Sequence, residues 1–403
     1  RAKVPCCLTP AKHHVGPAWY EREVEIPPGW QGRRVTVSLE RCHWETAIWV
    51  DGEAAIDAAG RGDSLSVPHV HDLPRHLAPG RHRLTLRVDN RVKVPVGANA
   101  HSVSDHTQTN WNGIVGELKL VAGDPVWIQD VQVFPDVAGK KARVRVSIGN
   151  STGKAGRGEL IVRARSRNVE KPRDLPPVAV PVELAREGAA IECEYPLGED
   201  ALPWDEFSPA LYRLEASVEA NAGGATCRDA RAVDFGLREI RAAGTQFALN
   251  GRKIFLRGTL ECCIFPLTGY PPADVESWKR IVRACKAHGL NHIRFHSWCP
   301  PEAAFTAADE LGFYNAVECA VWTSVGDGAP IDSWIRREGD RILEAYGNHP
   351  SFLLLAHGNE PAGPNQARYL GDLVSSWKKK DPRRLYTSAS GWPMIPENDY
   401  HVT

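Results

Sequence analysis

Up to residue 237, apolar and polar positions alternate in short runs broken by turn residues. Ala18-Trp-Tyr-Glu-Arg-Glu-Val-Glu-Ile26 alternates and stops at Pro27-Pro28, which predicts a half-buried strand. Arg34 to Leu39 alternates again. Thr46 to Val50 runs into Asp51-Gly52, a two-residue hairpin signal. Arg81 to Val88 follows Pro79-Gly80. Many short strands between Pro/Gly turns predict an all-β jelly-roll sandwich over residues 1–122. Strands over Val126–Phe134, Ala142–Ile148, Glu159–Ala164, Ile191–Tyr195, Tyr212–Val218 and Arg231–Phe235 predict an immunoglobulin-like β-sandwich over 123–237. Nothing in that second segment carries chemistry, so its expected role is a spacer.

From Arg238 the period changes. A hairpin across Asn250-Gly251 leads into a strand at Arg257–Leu260. Trp278, Ile281, Val282 and Cys285 share one helix face, and Gly289 ends that helix. Strand His292–His296, a helix bearing Ala304, Ala307, Ala308 and Leu311, and strand Phe313–Val317 come next. Ile335, Gly339, Ile342 and Tyr346 line another helix. Phe352–Leu355 is a continuous apolar run, as expected of a strand buried on both faces. Leu370, Leu373, Val374 and Trp377 repeat the helical spacing before Leu385–Ala389, and Asp399–Val402 resembles the start of a sixth strand. Such alternation predicts a (β/α)8 TIM barrel over 238–403. Closing a barrel takes eight strands. The barrel is therefore expected to be incomplete, and the chain a fragment of a longer protein.

The apolar run at 352–355 delivers Asn359 and Glu360 to its C-terminal end, the face where such barrels do chemistry. A carboxylate beside an amide that can bond a sugar hydroxyl suits a glycosidase acid/base. The pattern Asn348-His-Pro-Ser351, four apolar residues, then Gly358-Asn-Glu360 resembles the signature of glycoside hydrolase family 2, the β-galactosidase/β-glucuronidase family. Ala18–Pro27, Trp49–Gly52, His71–Asn90 and Trp111–Leu120 are similar to its first, sugar-binding domain. The resemblance implies a retaining exo-β-glycosidase acting on a terminal sugar of an oligosaccharide or glycoconjugate. It implies Asn359 on the 2-hydroxyl and Glu360 as acid/base. The nucleophile is then a second Glu on a seventh strand outside this sequence, so the chain itself is expected to be inactive or nearly so.

The resemblance also assigns Arg294 to steadying the nucleophile. His296 becomes a substrate contact, although it stands one position earlier than the His of the relatives' Ser-His-Tyr-Pro, and Glu318 becomes a pocket carboxylate. Trp322 and Trp392 could be sugar platforms, and Glu261 could reach a sugar hydroxyl. Each has a plainer alternative: a core Trp, a buried ion pair, a loop carboxylate. Glu397 reads as a solvated loop residue. Two other functions stay open: a carbohydrate-binding relic, and a different barrel glycosidase sharing only the Asn-Glu-Pro ending.

Composition adds exclusions. Lys+Arg and Asp+Glu are both 49, so no global field favours nucleic acid. No apolar run is long enough to span a bilayer. The ten Cys show neither CxxC pairs nor a Cys/His ladder, so neither disulfides, a metal nor a cofactor is expected. His69, His71 and His76 are assigned to an edge strand and its turn. Arg61-Gly-Asp63 is a chance tripeptide, and Asn150-Ser-Thr152 a glycosylation acceptor of little weight. Asp105–Asn112 is a polar loop that in the family leans towards the active site. Of the compartments, periplasm or secretion is favoured for a bacterial chain. Sugar identity and oligomeric state are not encoded in any of these signals.

Overall fold

The computed structural model describes residues 14–57, 60–75, 77–104, 107 and 111–402; Cys6, Cys7, His76 and most of the 105–112 loop lie outside them. Two antiparallel sheets form the first sandwich. One runs Pro17–Ile26, Gly80–Asp89, Glu45–Val50, Glu53–Ala54; the other Ile56–Asp57, His69–Asp72, Arg34–His43, Gly113–Gly123. Val37, Leu39, Ile48, Leu84 and Leu86 interdigitate between them. The hairpin at Asp51-Gly52 forms with both residues at positive φ, as a type I′ turn requires. Pro17–Ile26 is a sheet edge and more exposed than its alternation predicts, with Trp19 lying 5.3 Å from Trp49.

The histidine strand differs from expectation. His69–Asp72 pairs on both sides rather than lying at an edge, and His69 and His71 are buried, both bonding Thr46 Oγ1 at 2.7 and 2.9 Å. Burial pushes the His69 ring down to about 4.

In the second sandwich, Gly188–Pro196, Lys141–Asn150 and Val126–Asp136 face Val178–Leu184, Gly156–Arg167, Leu211–Ala222 and Ala225–Phe235. Val144, Leu160, Tyr195 and Leu214 fill its core. The strand Val178–Leu184 escapes the sequence pattern because Pro181 interrupts it. It pairs on one side only, the position at which a strand tolerates proline.

A small hairpin sheet, Ile240–Ala243, Gln246–Leu249 and Arg252–Ile254, precedes a parallel sheet. Its strands are β1 (Gly258–Glu261), β2 (His292–Phe295), β3 (Tyr314–Glu318), β4 (Phe352–Ala356) and β5 (Leu385–Thr387), paired in chain order. Helices α1 (Val275–Ala287), α2 (Glu302–Leu311), α3 (Pro330–Tyr346) and α4 (Gln366–Lys380) connect them. Asp274 caps α1 through Ser277 N, and Gly312 ends α2 in the left-handed region. Where a sixth strand was expected, Asp399–Val402 makes a single bridge, Val402 to Ser390. Among the described residues no helix is long and apolar enough to cross a membrane.

The first sandwich is welded to the parallel unit. Trp44, Leu65, Val67, Val96 and Ala100 share one apolar core with Trp334, Phe305 and Trp377. The Arg61-Gly-Asp63 loop forms this contact: Asp63 accepts from Arg341 at 2.7 Å, and Ser64 Oγ and Leu65 N both donate to Glu338 at 3.0 Å. The tripeptide is thus part of an internal dock.

Candidate active site

Parallel pairing in register brings the C-terminal ends of the five strands together. Arg294, on β2, reaches across the sheet ends and donates from Nε to Glu318 Oε1 at 2.7 Å and from Nη2 to Asn359 Oδ1 at 2.8 Å. Glu318, at the end of β3, is 2% exposed and also accepts from Ser297 N at 2.6 Å and Ser390 Oγ at 2.8 Å. Its carboxylate is committed to three donors, so it is a clamp on Arg294.

Asn359 leaves β4 with its own N–H on Val321 O at 2.9 Å, and the next N–H, Glu360's, on Ser390 O at 3.1 Å. Arg294 must meet an oxygen, which fixes the orientation of the Asn359 amide. Its Nδ2 is left buried with no partner. A buried donor without an acceptor costs about 1–3 kcal/mol, a cost that an acceptor placed against it would relieve. Glu360 sits beside it at φ 34°, a backbone conformation that a residue other than Gly seldom adopts. The Glu360 carboxylate is partly buried and makes no hydrogen bond or ion pair to the described residues.

The remaining sequence candidates divide. Glu261 ends β1, and its carboxylate accepts from the N–H groups of Cys263 and Ile264 at 3.0 and 2.9 Å, closing its own turn. Burial raises it to about 7 against those two bonds. His296 meets His101 of the first sandwich, Nδ1 to Nδ1 at 3.0 Å, with the Trp322 ring tilted against it, centroids 5.1 Å apart. Trp392 is 55% exposed beyond β5. Burial pushes both His101 and His296 down to about 4, and with the charge of Glu261 lifts the nearby Cys262 thiol to about 11.

Sequence reasoning missed Ser297, Ser390, His101 and Cys262. Ser297 and Ser390 become site residues only through the strand register. His101 arrives on a loop whose Val96 carbonyl accepts from Trp322 N at 2.8 Å. Gly97, at φ 103°, lies so close to the Trp322 carbonyl that a Cβ would overlap it.

No family model matches the chain. It is 23% identical over 388 residues to the β-galactosidase large subunit of Latilactobacillus sakei, covering 91% of this chain and 57% of that protein. A putative β-glucuronidase of Formosa agariphila is 23% identical over 402 residues, covering 94% and 35%. The chain thus spans about half, or less, of the curated relatives' length. The β-glucuronidase of Bacteroides uniformis superposes with a TM-score of 0.77 at 20% identity, covering 93% of this chain and 46% of that one. A family 2 β-galacturonidase from Eisenbergiella tayi bound to galacturonate gives 0.73 at 19% identity, covering 93% and 64%. In sequence the chain is similar to β-galactosidases and β-glucuronidases, and in fold to solved members of glycoside hydrolase family 2.

Proposed function

We propose that this chain carries the acid/base half of a retaining exo-β-glycosidase site. On this reading 238–403 forms the first five strands and four helices of a (β/α)8 barrel, preceded by a jelly-roll domain (1–122) and an immunoglobulin-like domain (123–237). Glu360 protonates the leaving oxygen and then deprotonates the incoming water. Asn359 Nδ2 donates to the sugar 2-hydroxyl. Arg294, locked between Glu318 and Asn359, holds the amide in place and presents positive charge to the second carboxylate. A retaining site needs that second carboxylate about 5–5.5 Å from the first. Glu318 is spent on three donor contacts and Glu261 on two, so the nucleophile is assigned to a strand beyond residue 403. His296 and Trp392 are placed at the rim, as wall and platform.

The observation that carries this reading is the buried, unpartnered Asn359 Nδ2 next to a Glu360 carboxylate with no partner among the described residues. The test is hydrolysis of nitrophenyl β-galactoside, β-glucuronide and β-galacturonide by the protein that bears this chain. Glu360→Gln should cost about 10²–10⁴ in kcat/KM with an unchanged melting temperature. Undiminished turnover by that variant would refute the assignment.

A further inference from the structure

His101, Cys262 and His296 come from three separate segments: a loop of the first sandwich, the turn after β1, and the end of β2. One ligand atom from each lies within 4.8 Å of the others. Two imidazoles with a thiol form a borderline-to-soft donor set, which favours zinc over magnesium or calcium. We propose that the three residues form a site for one zinc-class cation, which fastens the sandwich loop to the strand ends beside the candidate active site.

The geometry is close to what such a cation needs. Tetrahedral coordination at ordinary Zn–N and Zn–S lengths places donors about 3.3–3.6 Å apart. The two Nδ1 atoms are 3.0 Å apart, so the imidazoles open slightly to admit one ion, with the thiol within reach. Ser297 Oγ lies 2.7 Å from His101 Nδ1 and 3.2 Å from His296 Nδ1, and the His101 N–H donates to it at 3.2 Å. That hydroxyl holds the two Nδ1 atoms together when no ion is bound, and a cation taking those nitrogens would displace it from them. His101 and His296 are each under a tenth exposed, and Cys262 is partly buried, which leaves a way in for the ion. Three protein ligands leave a fourth position for water or a ligand. The chemistry of Glu360 and Asn359 does not require this ion, so the two assignments stand or fall separately.

The experiment is metal titration of the purified, chelator-stripped protein, with zinc followed by calorimetry and cobalt(II) as an optical probe. The wild type should take up one equivalent. The cobalt form should show a thiolate-to-metal charge-transfer band with the intense visible bands of four-coordination. His101→Ala and Cys262→Ser should each weaken binding at least ~10–100-fold, the range that loss of even a supporting residue produces. Cys262→Ser should also abolish the charge-transfer band, and Cys285→Ser, on α1, should change neither property. A wild-type protein that binds no zinc, or whose cobalt spectrum lacks the thiolate band, would overturn the proposal whether or not the variants fold. So would a Cys262→Ser protein with wild-type affinity and spectrum; the His101–His296 contact would then be a hydrogen bond alone.

Discussion

The two ends of β4 carry the two halves of one sequence signature, and the structure puts them to opposite uses. At the N-terminal end every polar side chain is spent on the scaffold. Asn348 accepts from Val133 N at 2.8 Å and donates to Val131 O at 2.7 Å, tying the second sandwich to the parallel sheet. His349 pairs with buried Asp309 at 2.5 Å, which also accepts from Ser351 N at 2.9 Å. At the C-terminal end, five residues of strand away, Asn359 keeps a donor and Glu360 a carboxylate that have no partner among the described residues. A short motif can thus be half spent on the scaffold and half left open to a ligand. Satisfied hydrogen bonds tell the halves apart, in line with the division of strand–helix folds into a stability face and a catalytic face.

Substitutions should therefore separate by which property they move. After Glu360→Gln, the largest effect should be that of Asp309→Ala, which leaves His349 and Ser351 N without their acceptor. Breaking a buried pair of this kind costs about 3–5 kcal/mol, read by urea unfolding. At the opposite end, Asn359→Ala should cost about 2 kcal/mol of transition-state stabilisation, within the several that bonds to the 2-hydroxyl supply, while costing less stability than Asp309→Ala, since it removes the acceptor of a single Arg294 N–H. Equal stability losses at the two ends would erase the distinction. Asn348→Ala, which removes bonds to the Val131 and Val133 backbone, should cost about 1–3 kcal/mol of stability and leave KM unchanged.

The same comparison has a pH signature. Burial opposes charge on His349, but the Asp309 carboxylate outweighs it, with Glu302 and Asp234 adding to the field, and the ring is raised above 6.5. A group raised in the folded state binds more protons there than when unfolded. Its contribution is complete below about 6.5, the ordinary histidine value, and is lost as pH climbs through the raised folded value. Unfolding free energy should therefore fall across that window in the wild type. His349→Asn should remove that part of the slope and lower stability at the acid end.

Much of this architecture was legible because local signals agreed. The apolar run of β4, the Asn-Gly and Asp-Gly hairpins and the helix-ending Gly312 each point to the element that forms. Val178–Leu184 was hidden by a proline that only an edge position excuses. Asp399–Val402 has strand-like residues but makes one bridge, because strand formation depends on a neighbour rather than on propensity. In the site, Asn359 and Glu360 could be read because they adjoin the strand that presents them. Ser390, Ser297, His101 and Cys262 could not, since their meeting depends on strand register and on a loop nearly 200 residues from His296.

The most direct test of Glu360 as acid/base is the leaving-group dependence of the Glu360→Gln variant. Protonation matters most for a poor leaving group and little for a strongly acidic phenol. Glycosides of dinitrophenol should therefore be cleaved at near wild-type rates to form the glycosyl-enzyme, while alkyl and sugar glycosides lose about 10²–10⁴-fold. Added azide, which needs no general base, should restore turnover as the β-glycosyl azide. An equal loss on every leaving group, without azide rescue, would contradict the acid/base role.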